Sequence, residues 1–233
     1  MKTATAPTPQ PHDEPVSVRW LNPIGLPTFD KPIADLLHGI KQPSTRIEVV
    51  SFDMKPSPTH LEYRTYEALT YGPTLRIARD CAQQNIDALV IGCFYDPALE
   101  DAREISADCL VVGPCQASLQ VAAQLANRFS IIVGRDKWME QMRARVRGYG
   151  AADRLASMRA LGMGVDEFQK TPPSPDAVLL NRPSWQLRKT APKPSFWVAP
   201  SSSVSSNRFS VKSAYRSSTL SWRPSKWPKP WLA

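Results

Sequence analysis

No stretch of this 233-residue chain approaches the roughly 18 consecutive apolar residues of a membrane span. The polar, Pro/Thr-rich start also lacks the apolar core of a secretion signal. Residues 1–16 therefore read as a disordered leader on a cytoplasmic protein. Histidine is scarce at three, and cysteine at four (Cys81, Cys93, Cys109, Cys115). Only His60 lies near the cysteines, and their spacing matches no zinc pattern, so a metal site is not expected. Free thiols in a reducing compartment are the simplest reading. There is no cysteine after Cys115 and no glycine after Gly164. Acid nearly disappears as well: residues 171–233 hold ten Lys/Arg and one Asp/Glu. The body balances at −1, so the net charge of +8 belongs to the tail. A basic charge that would point to nucleic acid in a whole domain says nothing here about the body.

What the first 170 residues do have is rhythm. Val16–Pro23 and Arg46–Asp53 read as strands with a helix over Phe29–Ile40 between them. Apolar runs at Ala88–Phe94, Cys109–Gly113 and Phe129–Gly134 suit buried parallel strands. Helices are expected over Pro97–Ser106, Gln116–Ala126 and Asp136–Gly150. In the last, Trp138, Met142 and Val146 recur at four-residue spacing, and Gly148 and Gly150 suit its end. His60, with Glu62 and Tyr63, opens a further long helical stretch at the surface or a pocket rim. The alternation predicts an α/β fold, a parallel sheet with helices on both faces. Ligands of such sheets sit at the carboxyl ends of strands, where Asn22, Cys93 and Cys115 fall.

Cys93 follows a buried strand, and Asp96-Pro97 suits the start of the next helix, with Asp96 as N-cap. Helix N-terminal amides there would lower the thiol pKa below its usual ~8.5 and make it reactive. A buried structural cysteine fits the same local sequence equally well.

The segment Gly92-Cys93-Phe94-Tyr95-Asp96-Pro97, followed by Asp101-Ala102-Arg103-Glu104-Ile105-Ser106, resembles the first active-site segment of the hydantoin racemases. These belong to the aspartate/glutamate racemase superfamily. Leu21-Asn22-Pro23 resembles that family's substrate-holding turn. Val112-Gly113 with Gln116-Ala117-Ser118, then Arg128-Phe129-Ser130-Ile131-Ile132-Val133, resembles its next strand–helix–strand unit. The resemblance covers roughly residues 17–170 and departs at Ala98, where the family usually has glycine. It implies two pseudo-symmetric lobes: 17–115 carrying Cys93, and a second begun over 116–170 and left incomplete.

The resemblance also implies racemisation at the α-carbon of a hydantoin or related amino-acid derivative, by two cysteines and without pyridoxal phosphate or any other cofactor. Cys93 would be one thiol. Asn22, Pro23, Phe94, Cys115 and Gln116 would line the substrate site, with the Asn22 amide helping to hold a developing enolate. Cys81 and Cys109 are expected to be inert. A homo-oligomer acting on a small molecule is implied, with no membrane or nucleic-acid partner. A single-cysteine lyase or decarboxylase of the same superfamily, and a non-catalytic binding protein, are the alternatives.

The second thiol should sit in a Leu-Gly-Cys-Thr-like strand end, and the tail holds none. Five of seven tryptophans and fourteen serines lie there, and no helix or strand period survives over 171–233. Reading each codon's last base with the first two of the next, Phe196-Trp197-Val198-Ala199-Pro200 can encode Leu-Gly-Cys-Thr. The tail thus reads as a low-order product of a frameshift near codon 170–171. A tryptophan-bearing nucleic-acid-binding tail is the competing reading, and it predicts salt-dependent binding.

Overall fold

The computed structural model describes residues 15–165 and 167, together with the backbone of 195–198 and 212–213. Most of the expected leader and tail lies outside the described residues.

The first sheet is built from β1 (Ser17–Asn22), β2 (Arg46–Ser51), β3 (Ala88–Ile91) and β4 (Leu110–Val112). Its order is β2-β1-β3-β4, and all three pairings are parallel. Parallel neighbours need crossovers, which are α1 (Asp30–His38), α2 (Arg64–Gln83) and α3 (Leu99–Ile105). The core between them joins Leu21, Leu89, Ile91 and Val111 of the strands to Ala78, Cys81, Leu99 and Ala102 of the helices.

The second sheet runs, in order, β6 (Leu155–Ala160), β5 (Arg128–Val133), β7 (Ser195–Val198) and β8 (Lys212–Ser213). Helix α4 (Pro114–Leu125) leads into β5 (Arg128–Val133), and α5 (Trp138–Gly148) leads into β6 (Leu155–Ala160). A separate core gathers Phe129, Ile131 and Val133 of β5, Cys115 and Leu119 of α4, and Trp138, Met142 and Val146 of α5. The four-residue spacing of the last three accounts for their burial on one helix face. Helix α5 closes on Gly150 at φ +67°, whose N–H donates to Arg147 O while Ala151 N–H donates to Val146 O, both at 3.0 Å. Only glycine takes that conformation without cost, so the sequence stops the helix there.

The backbone of β7 (Ser195–Val198) pairs parallel with Arg128–Ile131 of β5, and that of β8 (Lys212–Ser213) antiparallel with β7. A ladder is made by backbone N–H and C=O groups, so it needs no side-chain alternation to form. Among the described residues, no helix is long and apolar enough to cross a membrane.

Candidate active site

The site grows from the end of β3. Gly92 N–H donates to Leu21 O at 2.7 Å, which keeps β3 hard against β1 for one residue past the strand. A side chain at Gly92 would run into the Trp20 ring and come within 2.7 Å of Leu21 O. Gly92→Ala is therefore expected to cost about 2–3 kcal/mol, read from the urea midpoint, because neither neighbour can retreat from the sheet.

The chain then turns tightly. Cys93 N–H donates to Ile91 O at 2.7 Å, and Asp96 N–H to Cys93 O at 3.0 Å. Asp96 and Ala98 both sit at positive φ, 48° and 55°. Ala98 stands where the resembling family has glycine, and its left-handed backbone gives that preference a physical cause. It is also the residue that immediately precedes α3.

The expected cap is overturned. Asp96 does not cap α3. Its Oδ1 accepts from Cys115 N–H and its Oδ2 from Gln116 N–H, both at 2.9 Å, so it caps α4. Tyr149 Oη donates to Oδ2 at 2.8 Å. The carboxylate is fully buried and joins the Cys93 turn to two helices of the second sheet. Burial pushes its pKa up, while these three donors pull against that.

The expected low thiol pKa is overturned with it. Burial pushes the Cys93 thiol up to about 12, although the residue keeps partial exposure. The Tyr95 backbone N–H lowers it, the Glu67 and Asp96 carboxylates raise it, and Arg145 lowers it. The reason is geometric. Helix α3 begins only at Leu99, and the amides at the start of α4 are spent on Asp96. Cys93 therefore rests as a thiol, a proton donor rather than a base.

The other expected site residues are placed as follows. Asn22 ends β1 beside the Cys93 turn and is buried. Its Nδ2 donates to Ser51 Oγ at 2.9 Å and weakly to Leu26 O at 3.5 Å, so its N–H groups face the neighbouring turn. Pro23 is buried in that turn. Phe94 and Cys115 lie in the second core, and burial pushes the Cys115 thiol up strongly. The Gln116 side chain points away, accepting from Arg103 Nη2 at 2.7 Å. His60 is half-buried and accepts the Glu62 N–H at 3.3 Å, with its ring against Tyr63 and Tyr66. Cys81 and Cys109 are buried in the first core, and burial raises the Cys81 thiol to about 11.

Residues not singled out from the sequence complete the surroundings. Glu67 of α2 is buried and meets Arg145 and Gln141 of α5. Trp138 Nε1 donates to Glu62 O at 3.0 Å, and its ring packs edge-on against Tyr95. A signal for Glu67 was present: Glu67, Thr70, Thr74, Ala78 and Cys81 form the buried stripe of α2 at three- and four-residue spacing, and a carboxylate begins it. Among the described residues, no group of three or more His, Cys, Asp or Glu could hold a metal ion.

A thiol at the carboxyl edge of one parallel sheet, on a turn tied by Asp96 to helices of a second, defines an α/β protein with a candidate cysteine site. The chain belongs to the Asp/Glu/hydantoin racemase family, whose model matches residues 29–182. That match starts after β1 and runs a dozen residues past the point where the likeness was expected to stop. The chain is 29% identical over 157 residues to the hydantoin racemase of Pseudomonas sp. (strain NS671), covering 67% of this chain and 62% of that one. It is 34% identical over 124 residues to the hydantoin racemase of Rhizobium meliloti, covering 53% and 51%. The allantoin racemase of Klebsiella pneumoniae superposes with a TM-score of 0.58 at 26% identity, over 64% of this chain and 60% of that one. The allantoin racemase of Pseudomonas fluorescens gives 0.59 at 21% over 67% and 65%, a likeness of fold. These matches span between half and two thirds of the relatives' own length.

Proposed function

We propose that this protein is by descent a cofactor-independent racemase of hydantoins or allantoin-like ureides, crippled in the chain as written. The observation that carries the reading is the Cys93 turn, whose backbone hydrogen bonds hold the thiol at the carboxyl edge of β3. In a two-thiol inversion one thiolate takes the α-proton, and the pair of electrons left behind delocalises into the adjacent carbonyl. A thiol on the opposite face then protonates that carbon. Cys93, which rests protonated, suits the donor. Asn22, Pro23, Phe94, Cys115 and Gln116 are assigned to the substrate pocket. Residues 17–115 form one lobe of this cytoplasmic, homo-oligomeric enzyme, and the second begins over 116–170.

The acceptor thiol is absent, since no cysteine follows Cys115. A frameshift near codon 170–171 accounts for this, for the vanished glycines and for the basic tail together.

Polarimetry with a 5-substituted hydantoin tests the reading on three proteins: the chain as written, the frame-restored chain, and the frame-restored chain with Cys93→Ser. Rotation should decay only with the second. Turnover by the chain as written would overturn the impairment, and none by the restored chain would overturn the racemase reading.

A further inference from the structure

Asn22 stands at the carboxyl end of the first sheet, between two other strands. On one side it is paired with Ser51, the last residue of β2. On the other side Leu21 is paired with Ile91, and the Leu21 carbonyl accepts from Gly92 N–H. Asn22 and Gly92 are thus the next residues on adjacent strands, and Cys93 follows.

A side-chain amide can face its neighbours with its NH2 or with its oxygen, and the hydrogens around it decide which. Ser51 has one hydroxyl hydrogen. It goes to Asp30 Oδ1 at 2.5 Å, because a carboxylate only accepts. Ser51 Oγ therefore meets Asn22 Nδ2, at 2.9 Å, as an acceptor. The second neighbour, Leu26 O at 3.5 Å, is an acceptor too. Turning the amide over would set its oxygen against two oxygens with no hydrogen between them. Asp30, the first residue of α1, thus fixes through Ser51 which end of the amide points inward. The end left to the site is Oδ1. Asn22 is 7% exposed, and among the described residues nothing donates to that oxygen. An oxyanion gains nothing from such a group, whereas a ligand N–H would satisfy it.

We propose that Asp30 and Ser51 are positioning residues that hold Asn22 with its carbonyl oxygen toward the ligand, so that the site selects a ring N–H next to the reacting carbon, as a cyclic ureide carries. That N–H is the one meant because Asn22 neighbours the residue before Cys93, the thiol that would serve the carbon. This rests on the hydantoin reading above and deepens it: Asn22 accepts from the ring and does not anchor an enolate.

The test titrates the full chain with hydantoin and with succinimide, read by shifts in its NMR spectrum. The two rings match in size and share an imide, but succinimide has CH2 where hydantoin has the N–H beside its reacting carbon. The native chain should bind hydantoin about five- to tenfold more tightly, the worth of one hydrogen bond. Asn22→Leu should bring that ratio down to about one, since no acceptor remains. Ser51→Ala and Asp30→Ala leave Asn22 in place but let its amide turn, so both should lower the ratio. Ser51→Thr, which keeps the hydroxyl, should preserve it. A looser fold would weaken both ligands alike and leave the ratio where it was. Equal binding of the two rings by the native chain, or a ratio that neither Ser51→Ala nor Asp30→Ala moves, would overturn the proposal and leave the hydantoin reading standing. If neither ring binds, the hydantoin reading fails and the role of Asn22 fails with it.

Discussion

At pH 8 the Cys93 thiol of the folded chain is expected to alkylate about a hundred times more slowly than in urea-unfolded chain. An unfolded cysteine, with a pKa near 8.5, is about one quarter thiolate at pH 8. The buried Cys93 thiol, held up to about 12, is then ionised in only about one molecule in 10⁴. The rarer thiolate is the stronger nucleophile, which returns roughly a factor of 30. The shape of the profile is a sharper test than the rate. The folded chain should show a rate still rising tenfold per pH unit at pH 10, where unfolded chain has levelled off. The same shift has a stability consequence of fixed sign. A thiol that binds its proton more tightly when folded favours folding below about pH 9, and that contribution is lost as pH rises toward about 12. A labelling plateau near pH 8 would show that the turn activates the thiol instead.

Asp96→Ala should cost about 4 kcal/mol of unfolding free energy, a thousandfold in the folding equilibrium. Three donors lose their acceptor together: the Cys115 amide in a buried bond, and the Gln116 amide and Tyr149 hydroxyl in half-buried ones. Each buried orphan costs roughly 1–3 kcal/mol. Asp96→Asn should cost about half as much. Its amide offers one acceptor oxygen where both carboxylate oxygens now face donors, so one side must meet an N–H with an N–H. Urea midpoints of the two variants, measured beside the native chain, give the ordering. Equal losses would mean that the volume of the side chain matters and its two acceptors do not.

The parts of the molecule that depend on neighbours in sequence were legible. The apolar runs over Ala88–Phe94 and Phe129–Gly134 cover β3 and all of β5 but its first residue, and the Trp138–Met142–Val146 spacing defines the buried face of α5. Cys93 was found by its motif. What was not legible depends on residues distant along the chain. Asp96-Pro97 has the local form of a cap for α3, but the amides that reach Asp96 come from Cys115 and Gln116 on another helix. Helix α3, whose first amides were expected to activate the thiol, begins only at Leu99, so burial dominates and the direction of the thiol's pKa is reversed. Glu67 was passed over because a glutamate on a long polar helix reads as solvent-facing until its position on the buried stripe is counted. Strand β7 was missed because a ladder on a waiting sheet edge is recruited by backbone, whatever the side chains spell.

The two apolar cores described above do not merge. Between them run Asp96 with α4 and Tyr149, Glu67 with α5, and the Glu62 segment with Trp138 and Arg135, nearly all of it polar, with Tyr149 packing against both cores. Such a seam can part without stripping either core, because water can take up hydrogen bonds that it could never replace as apolar contacts. Cys93 lies along this seam. The movement by which a ligand could enter and the first movement of thermal opening would then share one hinge, so a molecule spanning the two halves would also be the molecule that holds them shut.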